Sequence, residues 1–93
     1  MSRDELVEYR RFRWKFVKYG DGRVLRRPRY LELDMKFWEG ANKLAGMQRN
    51  IYVLYYYRAK SMVQVSFETD YSERSIKRIK RNALEKISLN TED

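Results

Sequence analysis

Ninety-three residues are too few for two independently folded domains, yet 43% hydrophobic and 15% aromatic content supplies enough apolar surface for a core. No run approaches the roughly 18 apolar residues of a membrane span. The opening MSRDELVEYRR lacks the apolar stretch of a signal peptide, and cysteine is absent, which excludes disulfides and thiolate metal sites; a cytoplasmic protein is expected. Twenty-one Lys and Arg against thirteen Asp and Glu leave a charge of +8, suited to a polyanionic partner.

The first element, residues 2–19, reads in two ways. Ser2 and Glu5 have capping-box spacing, Tyr9, Phe12, Phe16 and Tyr19 recur at helical intervals, and Gly20 is placed to close a helix. Against that, Arg11 to Phe16 alternates basic and aromatic residues, and Gly20-Asp21-Gly22 before Arg23-Val24-Leu25 suits a β-hairpin. In either form Arg10, Arg11, Arg13, Lys15 and Lys18 interleave with Tyr9, Phe12, Trp14, Phe16 and Tyr19. Such a mixture either stacks on unpaired bases or packs its rings on a core and leaves its charges in water; the second is the more ordinary outcome.

The stretch GDGRVLRRPRY holds the single proline, Pro28, and reads as an internal boundary between a basic aromatic extension, 1–33, and a helical domain, 34–93. Arg26, Arg27 and Arg29 are candidates for a second nucleic-acid or partner surface, through phosphate contact or minor-groove entry. Asp34 suits the N-cap of a helix near 35–45, with Phe37, Trp38, Ala41, Leu44 and Ala45 as its apolar stripe and Gly46 as terminator. A helix over 47–59 follows, with Ile51, Leu54, Tyr55 and Arg58 on one face. Tyr52, Tyr55, Tyr56 and Tyr57 are expected in the core or at a subunit contact rather than as a stacking platform.

Val63, Val65 and Phe67 alternate as a strand would, but the length of 61–69, its short connection onward and the small Ser66 favour a short helix. Asp70-Tyr71 supplies the turn, since Asp tolerates left-handed backbone angles. Ser72 is an N-cap, and Ile76, Ile79, Ala83 and Ile87 form a buried stripe with Leu84 beside it, giving a helix over 72–88. Leu89 to Asp93 are expected to fray. The whole reads as mainly α: a helix-turn-helix bundle with an N-terminal helix or hairpin.

Charge is concentrated at the last helix. Between Glu73 and Asn82, five basic residues, Arg74, Lys77, Arg78, Lys80 and Arg81, meet only one acid, Glu73. Arg74 and Arg78, four apart, project from one helix face, where each can pair with a guanine edge while Glu73 accepts from cytosine. Lys60, Lys80 and Arg81 suit phosphates, which fix register without reading sequence.

The stretch Gln48-Arg49-x-Ile51-x-x-Leu54-x-Tyr56-x-x-x-Lys60-Ser61-x-x-x-Val65, followed by Tyr71-Ser72-Glu73-Arg74-Ser75-Ile76-x-Arg78-Ile79-x-Arg81-x-Ala83-Leu84-x-Lys86-Ile87, resembles region 4 of primary sigma factors. It is more similar still to small phage transcription regulators of the RinA and ArpU kind. The resemblance implies a helix-turn-helix whose second helix enters the major groove, with Glu73, Arg74, Lys77 and Arg78 at base edges and Ser61, Ser72, Lys80 and Arg81 near phosphates. It also implies transcriptional control in a phage or mobile element, alongside RNA polymerase. Three departures stand out: Ala59 replaces a usual Gly, Thr69-Asp70 replaces an apolar residue and Gly, and Met62-Val63-Gln64 lacks an aromatic-acidic start.

Catalysis has little to build on. Without His or Cys, a general base would have to be a carboxylate, Lys or Tyr. Asp4-Glu5 and the Glu32, Asp34 pair fit helix starts, and Gly20-Asp21-Gly22 lacks the Lys-Ser or Lys-Thr of a phosphate loop. A binding protein without metal or cofactor is expected, with double-stranded DNA as its partner. One module making a few base contacts of about 1–3 kcal/mol each cannot outcompete a genome of other sites, so a homodimer or a polymerase partner is also expected. The alternative is a small phage protein that binds a host protein, such as RNA polymerase or a defence nuclease.

Overall fold

The Ser2 capping box settles the first element as a helix. Ser2 Oγ accepts from the Glu5 N–H at 3.2 Å, and the Glu5 carboxylate accepts from the Ser2 N–H at 2.9 Å. From there α1 (Arg3–Tyr19) runs to Gly20 at φ 66, whose N–H donates to the Phe16 carbonyl at 2.8 Å. Glycine adopts that left-handed angle without strain, so the residue that suits a hairpin turn instead ends α1, and the hairpin is excluded. This structure, a computed structural model, describes residues 1–91, with side chains from Met1 to Ile87. After α1 come a 3₁₀ turn (Gly22–Arg26), α2 (Pro28–Asn42), α3 (Gly46–Tyr52) running into a π turn (Val53–Tyr57), α4 (Met62–Thr69) and α5 (Glu73–Thr91). The described residues contain no strand. None of their helices is long and apolar enough to cross a membrane. The fraying expected for Leu89–Asp93 lies outside the described residues at Glu92 and Asp93, while α5 continues to Thr91.

The second helix starts earlier than its sequence suggests. Pro28 occupies the first position of α2, where its fixed φ and missing N–H match what a helix start requires. The boundary drawn between 33 and 34 therefore falls inside a helix. Asp34 is an interior residue, not an N-cap: its carboxylate accepts from the Tyr9 hydroxyl at 2.6 Å and from Trp38 Nε1 at 3.2 Å. Burial, followed by the bond to Asp34, pushes the Tyr9 phenol far above its ordinary pKa. Glu32 likewise leaves helix-start chemistry for ion pairs with Arg29 at 3.4 Å and Lys36 at 3.6 Å. At its far end α2 stops at Asn42, ahead of the expected terminator Gly46, which opens α3.

What holds the helices together is a column of rings. Tyr30, Tyr9, Phe37 and Tyr52 stack in series, with centroid separations of 5.7, 4.7 and 4.5 Å, joining α1, α2 and α3. Each such pair adds about 0.5–1.5 kcal/mol beyond the area it buries. Leu6, Leu33, Ala83 and Ile87 are among the residues that join this cluster, so α1 shares one core with α5. Close approach is possible because Gly40 has no side chain: a Cβ there would lie 3.1 Å from the Tyr52 hydroxyl and 3.3 Å from Ile87 Cδ1.

Arg13 departs from the expectation that the basic groups of α1 stay in water. Only 7% exposed, it donates through Nε to the Tyr57 carbonyl at 2.8 Å and through Nη1 to the Tyr30 hydroxyl at 3.1 Å. Arg10 does the same nearby, donating to the carbonyls of Tyr55 and Lys60, each at 3.0 Å. These acceptors are free because the π turn widens the helix and ends it: the Arg58 N–H reaches Val53 O at 3.0 Å, the Lys60 N–H reaches Leu54 O at 3.2 Å, and Ala59 between them has φ 54. Helix ends leave carbonyls without partners, and here two arginines of another helix satisfy them.

Candidate nucleic-acid interface

A second cluster, Ile51, Val65 and Ile76, joins α3, α4 and α5, with Met47, Leu54, Met62 and Ile79 packed around it. Its geometry decides the ambiguous segment 61–69. Only Val65 of the alternating trio is buried, while Val63 and Phe67 are 62% and 86% exposed. One short helix presents a single face to one partner, so the apparent β pattern is one core residue and two surface ones. Ser61 starts α4 with a second capping box: its hydroxyl accepts from the Gln64 N–H at 3.2 Å, and Gln64 Oε1 accepts from the Ser61 N–H at 3.0 Å.

The turn between α4 and α5 spans Asp70–Ser72. Asp70 has φ 60, the left-handed angle expected of it. Ser66 Oγ donates to the Tyr71 carbonyl at 2.6 Å, which fastens the turn to α4. Ser72 Oγ then accepts from the Ser75 N–H at 3.2 Å and caps α5. Ala59 and Asp70, the two positions where the resemblance implies glycine, are the only non-glycine residues with positive φ among the described ones.

On α5 the stripe Ile76, Ala83 and Ile87 is buried and Ile79 and Leu84 are half-buried. Arg74, Lys77, Arg78 and Arg81 are exposed. Among the described residues, none of these four, nor Lys80, has a carboxylate partner within 4.0 Å, although seven other pairs of that kind occur. Arg74, Lys77, Arg78, Lys80 and Arg81, together with Arg3 of α1, line a groove of about 650 Å³. Glu73 lies in the first turn of α5, where the helix dipole alone favours a carboxylate.

Lys80 is half-buried, with Nζ 4.2 Å above the Tyr55 ring; the Arg10 guanidinium lies over the same ring, also at 4.2 Å. Burial, then the charges of Arg10, Arg3 and Lys77, push the Lys80 ammonium below its ordinary pKa. Tyr57 is covered in the same way by Arg13 at 3.9 Å, while Tyr52 and Tyr56 are buried. The tyrosine cluster is thus core and cation seat, with these ring faces already occupied.

Four expected binding residues have their side chains engaged elsewhere. Lys60 Nζ pairs with Glu68 at 2.8 Å. Arg29 forks onto both Glu8 oxygens at 3.0 Å each, which holds its guanidinium firmly protonated and ties α1 to α2. It therefore does not join Arg26 and Arg27 as a free surface. Those two are exposed in and after the 3₁₀ turn, which packs on α1 and α2. Ser61 and Ser72 commit their hydroxyls to capping, leaving backbone N–H groups at the helix starts for any phosphate.

Arg3, Arg10, Arg11 and Tyr55, absent from the site read in the sequence, border the cations of α5. A signal for the first three was present: Arg3, Val7, Arg10, Arg11 and Trp14 share one helical face, adjacent to the buried face of Leu6, Tyr9 and Arg13. For Tyr55 the sequence offers only the tyrosine cluster, which points to core or subunit contact. Comparison with models of protein families, with characterised proteins and with solved structures returns no match to this chain.

Proposed function

We propose that this protein is a sequence-specific, double-stranded DNA-binding regulator of transcription, acting by binding rather than catalysis, in a phage or other mobile element. The observation that carries the reading is the row of exposed α5 cations without a carboxylate partner among the described residues, on a helix entered through a three-residue turn. A major groove admits such a helix and presents each base pair as a distinct donor and acceptor pattern. In this reading Arg74, Lys77 and Arg78, with Glu73, meet base edges, while Lys80 and Arg81 hold phosphates. The resemblance to sigma region 4 and to RinA- and ArpU-type regulators adds the transcriptional setting.

A protein partner enters through a separate observation. Val63, Phe67 and Tyr71 are exposed together at the outer side of α4 and its turn, and apolar groups in such a setting favour contact with protein. RNA polymerase or a second copy of this chain would supply the specificity that one module lacks.

The test is selection of bound duplexes from a random pool at two salt concentrations, with the protein and its Arg74→Ala/Arg78→Ala variant. A motif retained by the native protein and lost by the variant is the expected result. An unchanged motif from the variant would sink the base-reading roles. Binding without any motif would favour action on a protein partner.

A further inference from the structure

The α5 groove does not end at α5. A second groove of about 480 Å³, lined by Arg10, Arg11, Trp14 and Tyr55 among others, shares Arg3, Lys80 and Leu84 with it. The two form one furrow between α1 and α5, and no carboxylate lines either half. Of the acids of α1, Glu5 and Glu8 are held by Lys36 and Arg29 of α2, and Asp4 lines neither half. Like charges drawn together without a counter-charge raise the energy of the free protein, and an anion in the furrow relieves it.

We propose that this furrow seats a sugar-phosphate strand of the duplex that α5 reads, so that α1 grips the DNA backbone beside the helix-turn-helix. The inference rests on the duplex-binding function above and extends its surface to a helix that the resemblance does not cover. Two features favour a strand over an isolated anion. The furrow is continuous with Arg74 and Arg78, so a backbone leaving the reading face enters it directly. Its walls also alternate charge with apolar surface, from Val7, Trp14 and Leu84, as sugar and phosphate alternate along a strand. The floor is preformed: Arg10 is fixed by two carbonyls and Lys80 by the Tyr55 ring, so little side-chain freedom is lost on binding.

Arg3 and Arg11 are exposed and without ion-pair partners among the described residues, so both can be replaced without disturbing the core. Affinity is measured over a salt series for the native protein, Arg3→Ala/Arg11→Ala and Arg74→Ala/Arg78→Ala, each on the selected duplex and on a scrambled one. Circular dichroism melting confirms that each variant is folded. Each phosphate contact contributes about 0.9 to the slope of log affinity against log salt. Arg3→Ala/Arg11→Ala should therefore lower the slope by roughly 1 to 2 on both duplexes and leave sequence preference intact. A folded Arg3→Ala/Arg11→Ala variant with the native slope overturns the furrow assignment, even where Arg74→Ala/Arg78→Ala loses preference and base reading stands. The converse result keeps the furrow and removes base reading. If the native protein binds no duplex at either salt extreme, both fall.

Discussion

Replacing Ala59 with glycine is expected to stabilise the protein. Ala59 sits at φ 54, where the chain leaves the π turn and the Lys60 N–H reaches back to Leu54 O at 3.2 Å. An L-residue in the left-handed region carries about 1–2 kcal/mol of strain from its Cβ. Glycine removes that strain but enlarges the unfolded ensemble, which costs about 0.4–1 kcal/mol. The net gain is about 0.5–1 kcal/mol, or a rise of about 2–8 °C in a domain of this size. Thermal and urea unfolding, followed by far-UV circular dichroism, measure it, and the urea midpoint should rise at an unchanged slope. Asp70, at φ 60, provides an internal comparison. Asp tolerates the left-handed region better than Ala, so Asp70→Gly should gain less. A neutral or destabilising Ala59→Gly, or one matched by Asp70→Gly, would refute the reasoning.

Arg13→Ala should destabilise by about 2–3 kcal/mol, because it strips a half-buried carbonyl and a buried hydroxyl of their donor along with the packed stem; urea unfolding checks this. Arg13→Lys should recover little, since one ammonium cannot reach the Tyr57 carbonyl and the Tyr30 hydroxyl from two fixed directions. A third prediction concerns acid. The Ser2 N–H, then Lys36, hold the Glu5 carboxyl down at about 2, against an ordinary 4.5. A depressed carboxylate contributes stability that is complete above 4.5 and is lost as pH falls towards 2. Glu5→Gln should therefore lower stability near neutral pH and flatten the stability profile across that acid window; an equally steep profile in the variant would show that other carboxylates dominate it.

How far the sequence alone reaches is clear from its two halves. Positions 70–87 were legible because each signal there is local: Ser72 caps the helix it precedes, Asp70 turns the chain, and Ile76, Ala83 and Ile87 face inward as their spacing requires, whereas the strand-like alternation of 61–69 resolves only once Val65 alone is seen to be buried. The start of α2 was not, because the arginines around Pro28 resemble a basic loop, while Asp34 looks like a cap until Tyr9 arrives from another helix to occupy its carboxylate. The same reason hid part of the candidate surface. Which cations are free and which are paired depends on where acids land in three dimensions: Arg29 meets Glu8, 21 residues away, and Lys60 meets Glu68, while Arg3 and Lys80 come from opposite ends of the chain. Charge counting sees the sum and cannot see this partition.

The capping of the π turn by Arg10 and Arg13 also orders the way this molecule comes into being. During synthesis α1 precedes α2, which supplies the first partners of Tyr9, while the carbonyls that Arg10 and Arg13 serve lie 44 to 50 residues further along. The α4–α5 pair, closed by a three-residue turn, assembles from immediate neighbours at small loop-closure entropy. The furrow between α1 and α5 therefore forms only once α5 is present. Until that moment the cations of α5 stand without Arg3, Arg10 and Arg11 beside them. The concentrated cationic furrow is a property of the finished protein alone, so an incomplete chain offers no comparable seat.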